Sequence, residues 1–181
     1  MKIFTLKNLS LLLFLLIVAG CGYHNPNMLP PEQQGRVLKL HVPIWPNPTN
    51  ELRLASDIHN VLQDWLGQSK QFTLVSSSGE ADYILNGKIN AVSYTGRAYD
   101  AKDRAQALIA TLSVDYTVTD TRTGKTAWEA KGLTLTETYS LQTDAHKRQA
   151  IETIVDHLAE QIYVRLYSAI ARFEKNKGLG N

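Results

Sequence analysis

A strict alternation of apolar and polar residues runs from Leu108 to Val118. The apolar members of this run fall at every second position: Leu108, Ala110, Leu112, Val114, Tyr116 and Val118. The positions between them carry short polar side chains: Thr111, Ser113, Asp115 and Thr117. Because successive side chains of a strand point to opposite faces, this segment is predicted to be a strand with one buried face and one wet face.

Four other segments have shorter strand patterns: 37–42, 71–76, 82–94 and 126–139. In the third, Tyr83, Leu85, Ile89 and Ala91 are predicted to share one face. The alternation stops at residues 95–96, so the polar segment 95–104 is predicted to be a loop.

Two glycines have predicted roles in the last pair of strands. The turn at 120–125 contains Gly124, which is available for a positive φ angle. The apolar phase of the segment after that turn changes across Gly132, which predicts a β-bulge there.

Two segments have the spacing of amphipathic helices. The first is about 17 residues long, with Thr49 or Asn50 as its cap and Glu51 in its first turn, and ends near Gly67. The second runs from Ala145 to about residue 174 and would be about 45 Å long.

The order of elements is strand, helix, four strands, helix. One crossover unit followed by an antiparallel meander predicts an α/β two-layer sandwich, with a mixed, mostly antiparallel sheet and both helices packed on one face. Residues 37–175 are predicted to form this single α/β domain, and residues 176–181 are predicted to be a frayed tail. The uncovered face of the sheet is expected to stay wet or to contact a partner.

The amino terminus has the pattern of a bacterial export signal. Lys2 and Lys7 precede an apolar run at 9–18, which at about 15 Å is half the thickness of a membrane core. Residues 18–21, Val-Ala-Gly-Cys, resemble the lipobox of bacterial lipoproteins. That resemblance implies that residues 1–20 are a cleaved signal peptide, that Cys21 receives a diacylglyceryl anchor with fatty acids such as palmitate, and that residues 21–36 are a lipidated tether. The alternative is an ordinary secretory signal followed by a stray cysteine.

Composition excludes several classes of protein. The chain has 181 residues, of which 44% are hydrophobic and 20% charged, as in an ordinary globular domain. Beyond the two lysines of the signal, basic and acidic residues are equal in number at 17 each, so no nucleic-acid partner is expected. The single cysteine excludes an intrachain disulfide and a Cys-rich zinc site.

No recognised catalytic motif, metal-ligand spacing or nucleotide-binding glycine pattern is present, so the sequence predicts neither an enzyme nor a cofactor or metal site. Basic residues are nevertheless frequent near the segment 95–104. Three of them, Arg97, Lys102 and Arg104, are candidate contacts for a phosphorylated glycolipid, because guanidinium groups pair bidentately with phosphate. The alternative is solubilising charge, since Asp100 and Asp103 lie among them.

Several short motifs follow one another in a fixed order along the chain. These motifs are Cys-Gly-Tyr at 21–23, Val-Pro-Ile-Trp-Pro-Asn at 42–47, Ala-Asp-Tyr-Ile-Leu-Asn-Gly at 81–87, Asp-Thr-Arg-Thr-Gly-Lys at 120–125 with Trp128, and the long last helix with Ala150. In this order they resemble the lipopolysaccharide-assembly lipoprotein family LptE. The resemblance implies a lipoprotein that plugs the lumen of the outer-membrane β-barrel LptD, helps it assemble and binds lipopolysaccharide.

Two further implications come from similar lipoproteins. Gly22 stands where inner-membrane lipoproteins carry an acidic retention residue, which implies the outer membrane, with the domain facing the periplasm. The motif at 81–87 also recurs in lipoproteins of other envelope machines. A component or regulator of a secretion pore or of a peptidoglycan synthase therefore remains the alternative function.

Overall fold

The computed structural model describes residues 37–102, 105–141 and 143–178. The predicted signal peptide, the tether with Cys21, and Arg104 lie outside the described residues. No helix among the described residues is long and apolar enough to cross a membrane.

Five strands form one sheet: β1 (Leu38–His41), β2 (Phe72–Leu74), β3 (Tyr83–Tyr99), β4 (Ala105–Asp120) and β5 (Thr126–Ser140). Their order across the sheet is β2-β1-β3-β4-β5. The short strand β1 pairs in parallel with β2 and β3, whereas the long strands β3, β4 and β5 form an antiparallel meander. The sheet is therefore mixed, and most of its paired residues are antiparallel, as predicted.

Two helices, α1 (Leu54–Gly67) and α2 (Asp144–Gly178), complete the sandwich. Their buried side chains join those of the sheet in one core, in which Ile58, Leu112 and Leu158 are at most 1% exposed. The two helices are also joined to each other, because the Trp65 Nε1 donates to Asp156 Oδ1 over 2.8 Å. The predicted α/β two-layer sandwich is confirmed. Residues 176–178, predicted to belong to the tail, continue the helix α2.

The burial pattern of β4 confirms the alternation of buried and wet positions that was predicted for it. Its core-facing positions from Ala110 to Val118 are at most 2% exposed, and the residues between them are only partly covered. The positive φ angle predicted for Gly124 is present, at 67°, and Gly132 also has a positive φ angle, of 62°. The register with β4 shifts at Gly132, which confirms the predicted bulge.

The first helix begins later than predicted, at Leu54. The preceding residues are held in a turn by the Asn47 side chain, whose Oδ1 accepts from the Thr49 backbone N–H over 3.0 Å. Its Nδ2 donates to the Glu51 carbonyl over 2.8 Å. Short polar side chains that bond the local backbone in this way compete with helix formation, which explains the delayed start.

The third strand departs from its predicted phase at Ala91. Its register with β4 passes from Ile89 opposite Val114 to Ala91 opposite Ser113, so that Asn90 is an extra residue in β3. This bulge turns Ala91 to the exposed face, and Val92 packs against the core in its place. The predicted common face for Tyr83, Leu85, Ile89 and Ala91 is therefore wrong at Ala91.

The predicted loop at 95–104 is also wrong in its first half, because β3 continues to Tyr99. Arg97 is an extra residue in β3 and Gln106 an extra residue in β4, and these two irregularities compensate each other. Pairing therefore extends to Tyr99 opposite Ala105. Backbone hydrogen bonding across the hairpin outweighs the local turn tendency of the polar sequence.

Candidate binding surface

The face of the sheet opposite the helices carries a block of nine uncharged side chains, which we call the hydroxyl face. Three complete rows cross the strands β3, β4 and β5 in register: Ala91–Ser113–Thr134, Ser93–Thr111–Thr136 and Thr95–Ile109–Thr138. Seven of the nine residues bear a hydroxyl group, and none bears a charge. All nine are exposed or partly exposed.

The lack of charge on the hydroxyl face is unusual for a surface in contact with water. Soluble surfaces carry about 25–35% charged residues, so nine positions would all be uncharged in roughly one case in twenty. These positions are not constrained by packing, because the helices cover the opposite side of the same strands. Thr suits an exposed strand face, and cross-strand Thr and Ser pairs stabilise a sheet, so the feature that stands out is the lack of charge.

A charged row begins at one end of the hydroxyl face. Asp115 lies opposite Lys88 on β3, and bulges flank it on both sides, at Asn90 and at Gly132. The Gly132 N–H donates to Asp115 Oδ1 over 2.6 Å. This backbone hydrogen bond, together with a bond from the Asn90 side chain and the charges of Lys88 and Lys131, lowers the pKa of the Asp115 carboxyl group. Asp115 thus holds the two bulges together and marks the border of the uncharged block.

The predicted basic residues lie beyond the opposite end. Arg97 and Lys102 are both exposed, at the end of the β3–β4 hairpin. The Lys102 N–H donates to Asp100 Oδ1 over 2.8 Å, which fixes the start of the turn. Lys88 and Arg97 lie on the same strand but about 23 Å apart, since seven residues in regular strand geometry stand between them. The basic residues near the two ends of the hydroxyl face therefore do not form one patch. Instead, cations stand at both ends of the hydroxyl face.

A groove with a volume of about 620 Å³ lies between the first turns of the two helices. Leu54, Ile151 and Val155 are among its apolar lining residues. Its charged lining residues are of both signs: Glu51, Arg53, Asp57, Asp144, Lys147, Arg148 and Glu152. The two halves of this groove lie about 95 residues apart in the chain, so no local sequence pattern could reveal it. Its mixed charges give it no preference for an anionic ligand.

Glu51, which lines this groove, joins three parts of the fold. Its Oε1 accepts from Lys147 Nζ over 2.7 Å and from the Tyr94 hydroxyl over 2.6 Å. The bonds from Lys147 and Tyr94 lower the pKa of Glu51. The pKa of Tyr94 is raised by burial and by its bond to the Glu51 carboxylate. This arrangement fixes the first turns of α2 against β3, and it satisfies its polar groups internally rather than presenting them to a ligand.

Within the described segments, no group of three or more His, Cys, Asp or Glu side chains is arranged to hold a metal ion. The site that best merits a functional interpretation is therefore a surface, the hydroxyl face with its charged ends.

Comparison with known proteins gives a family match. The model of the lipopolysaccharide-assembly family LptE matches residues 37–166, which is most of the chain and nearly all of the sandwich. No curated protein sequence matches.

Solved structures with the same fold come from several bacteria. Protein XCC0632 from Xanthomonas campestris is 10% identical, with a TM-score of 0.60 over 78% of this chain and 89% of that one. The hypothetical protein CT253 from Chlamydia trachomatis is 14% identical, with a TM-score of 0.54 over 75% and 98% of the two chains. The uncharacterized lipoprotein B from Nitrosomonas europaea is 9% identical, with a TM-score of 0.54 over 78% and 89%. At these identities the likeness establishes the fold alone. The match over residues 37–166 establishes more: the chain belongs to the lipopolysaccharide-assembly family LptE.

Proposed function

We propose that this protein is a lipid-anchored lipoprotein of the outer membrane, facing the periplasm, that assists lipopolysaccharide transport and assembly. In this role it plugs and helps to assemble a β-barrel of the LptD type and binds lipopolysaccharide, without catalysing a reaction. The observation that carries the proposal is the family match across residues 37–166.

The anchor in this proposal is Cys21, which lies directly behind the short apolar run of the signal. One acyl chain binds a membrane only marginally, whereas two or more hold a protein firmly. Mass spectrometry of the mature amino terminus is expected to find Cys21 as the first residue, carrying acyl chains. Cys21→Ser is expected to release the domain from the membrane. An unmodified thiol or cleavage at another bond would exclude the anchor.

Arg97, Lys102 and Arg104 are the proposed contacts for the phosphate groups of lipopolysaccharide. The exposure of Arg97 and Lys102 at the end of one hairpin supports this assignment, since both can reach a ligand without any change in the sheet. Charge-assisted hydrogen bonds to phosphate oxygens are strong, and they weaken as salt screens the charges.

The test is charge reversal at two of these positions. Arg97→Glu with Arg104→Glu is expected to weaken binding of purified lipopolysaccharide, with the largest loss at low ionic strength. Stability is expected to change little, because ion pairs of exposed side chains contribute about 0–1 kcal/mol each. The matched control is Arg148→Glu with Arg165→Glu, which makes the same charge change at exposed positions on α2. Equal binding by the parent chain and the hairpin variant would remove this hairpin from the binding site.

A further inference from the structure

We propose that the outer edge of β5, over residues 133–140, binds an extended segment of another protein. This segment adds to the five-stranded sheet as a further strand and carries a basic side chain opposite Glu137. We call residues 133–140 the edge segment. The inference goes beyond the proposed function, since it requires neither lipopolysaccharide nor a barrel.

The edge segment forms one open side of the sheet. β5 is the last strand in the order β2-β1-β3-β4-β5, so among the described strands its neighbour is β4. The opposite edge, β2, is only three residues long. Pairing of β5 with β4 is continuous from Leu133 opposite Val114 to Ser140 opposite Ala107. The edge segment is therefore an uninterrupted template for a partner strand.

The register shows which backbone groups of the edge segment point outward. The Leu141 N–H donates to the Gln106 carbonyl over 3.1 Å, so these two residues form a hydrogen-bonded pair. In an antiparallel ladder, such pairs alternate with pairs whose N–H and C=O groups point to the other side. Counting back from Leu141, the even positions of the edge segment therefore direct both groups away from β4, where an added strand can bond to them. These positions are Thr134, Thr136, Thr138 and Ser140.

The edge segment lacks the features that usually keep a strand edge from pairing. Natural edges are protected by proline, by bulges and by charged side chains, especially lysine. The first half of β5 has two of these features, with Glu129, Lys131 and the bulge at Gly132. The edge segment has no proline and no register shift, and Glu137 is its single charged residue. This half of the edge is thus open to strand addition.

A pocket with a volume of about 260 Å³ lies beside the edge segment, between β5 and the first turns of α2. Glu137 lines it from the strand, and His146 and Gln149 line it from the helix. Among the described lining residues, Glu137 is the one acid, and none is Lys or Arg. In strand addition, the main chain supplies affinity, while pockets beside the edge select alternate side chains of the added segment. A basic side chain complements this pocket.

The same charge argues against a second copy of this chain at the edge. Two edge segments paired about a two-fold axis would place both Glu137 side chains on the helix side of the joined sheet. Residues 132–140 hold no Lys or Arg to oppose them. Since like charges on neighbouring strands are destabilising, the occupant is a different protein that supplies a basic residue.

Fluorescence anisotropy with two labelled peptides tests this proposal on the full-length chain, purified in detergent. The first peptide, Val-Thr-Lys-Thr-Val-Thr-Val, places its lysine opposite Glu137 when it pairs antiparallel to residues 133–139. The second peptide carries glutamate in place of that lysine. We expect the chain to bind the lysine peptide at least about tenfold more tightly, because a like charge at this position is repelled. Glu137→Lys is expected to reverse the preference.

A backbone variant separates strand addition from a simple charge contact. Thr136→Pro removes one outward N–H, and the sheet should tolerate it because proline is found on edge strands when its missing N–H faces outward. It is expected to weaken binding of the lysine peptide at least about tenfold. The matched control, Thr136→Val, keeps the N–H and is expected to bind as the parent chain does. A thermal melt of each variant verifies that it is folded.

Three results would overturn the inference: no binding of the lysine peptide, equal binding of both peptides by the parent chain, or unchanged binding by the folded Thr136→Pro variant. A parent dimer that Thr136→Pro converts to a monomer would also overturn it, because a second copy would then occupy the edge. Each of these results leaves the proposed function intact, since that function is tested by recovery of a barrel and of lipopolysaccharide.

Discussion

The two sides of the long strands β3, β4 and β5 have opposite constraints, although alternate residues of the same segments build them. On β4, Leu112 is fully buried beneath the helices, while its neighbour Thr111 is partly exposed on the hydroxyl face. The buried side must be apolar and well packed for the protein to fold. The exposed side has no such requirement, and it passes from the uncharged hydroxyl face to the charged row of Lys88 and Asp115. The apolar residues of the core are therefore informative about the fold, whereas the residues of the exposed side are free to serve other purposes.

The bulges differ between the two sides as well. On the core side, a bulge displaces the next apolar position by one residue. In β3 the core position that follows Ile89 is therefore Val92, where regular alternation would place it at Ala91. On the exposed side, two bulges meet at Asp115, whose carboxylate binds the backbone of Gly132. The core adapts to the irregularity by a change of phase, while the exposed side requires a dedicated polar residue to hold it.

The largest difference between the sides is expected in stability. Leu112→Ala removes a fully buried side chain and is expected to lower the free energy of unfolding by about 2–5 kcal/mol. Thr111→Ala, one residue away on the other side, is expected to change it by about 0.5 kcal/mol or less. Denaturant unfolding of both variants makes the comparison, and equal effects would mean that the two sides are not distinct.

A smaller effect on stability is expected at Gly87, where the core side of the sheet leaves no room for a side chain. Trp45 is 2% exposed and lies directly over Gly87, where an added Cβ atom would overlap its indole ring. Gly87→Ala is expected to destabilise the fold by about 1–3 kcal/mol through this overpacking.

The control for Gly87 is Gly79→Ala, since the nearest atom to a Cβ there is Ser77 Oγ at 3.7 Å. Thermal unfolding of the two variants should separate them clearly. If Gly87→Ala unfolds at the same temperature as the parent protein, Trp45 does not occupy the position described.

The smallest effect is expected at Asp115 and depends on pH. The pKa of Asp115 is lowered in the folded protein, mainly by the Gly132 backbone bond. Its ionised form therefore contributes stability that is present above the unfolded pKa, about 3.9, and that is lost as the pH falls through the lower folded value. Asp115→Asn is expected to be less stable than the parent at pH 7.

The difference in the free energy of unfolding between the parent protein and Asp115→Asn should disappear in acid. Urea unfolding of the parent and of Asp115→Asn at a series of pH values from 7 to 2 measures it. A difference that stays constant, or grows toward low pH, would contradict the role given to the Asp115 carboxylate.

The sequence was sufficient to predict the fold class, the strand β4 and the bulge at Gly132, because each depends on local periodicity or on a backbone conformation that favours glycine. The bulge at Asn90 was missed, since nothing in the local pattern distinguishes one extra polar residue from a change of face. The extension of β3 to Tyr99 was missed because the partner strand, not the segment itself, stabilises it.

The candidate site was predictable only in part. Arg97 and Lys102 lie on the hairpin where the sequence placed them, although the first of them is in a strand rather than a loop. The wet face of β4 was also predicted. The hydroxyl face as a whole was not, because its three rows combine residues from three strands, and the register that aligns Ser93 with Thr111 and Thr136 is a property of the folded sheet.

The central claim is that this chain works in lipopolysaccharide assembly as the partner of a β-barrel. Its most direct test is purification of the full-length, tagged protein from the detergent-solubilised envelope of its own bacterium, with every co-purifying component identified by mass spectrometry. We expect an LptD-type barrel to be recovered together with lipopolysaccharide, and both to be lost when the membrane is heated to unfold the chain before capture. Recovery of the chain without a barrel, as a closed ring of its own copies or bound to a peptidoglycan synthase, would contradict it.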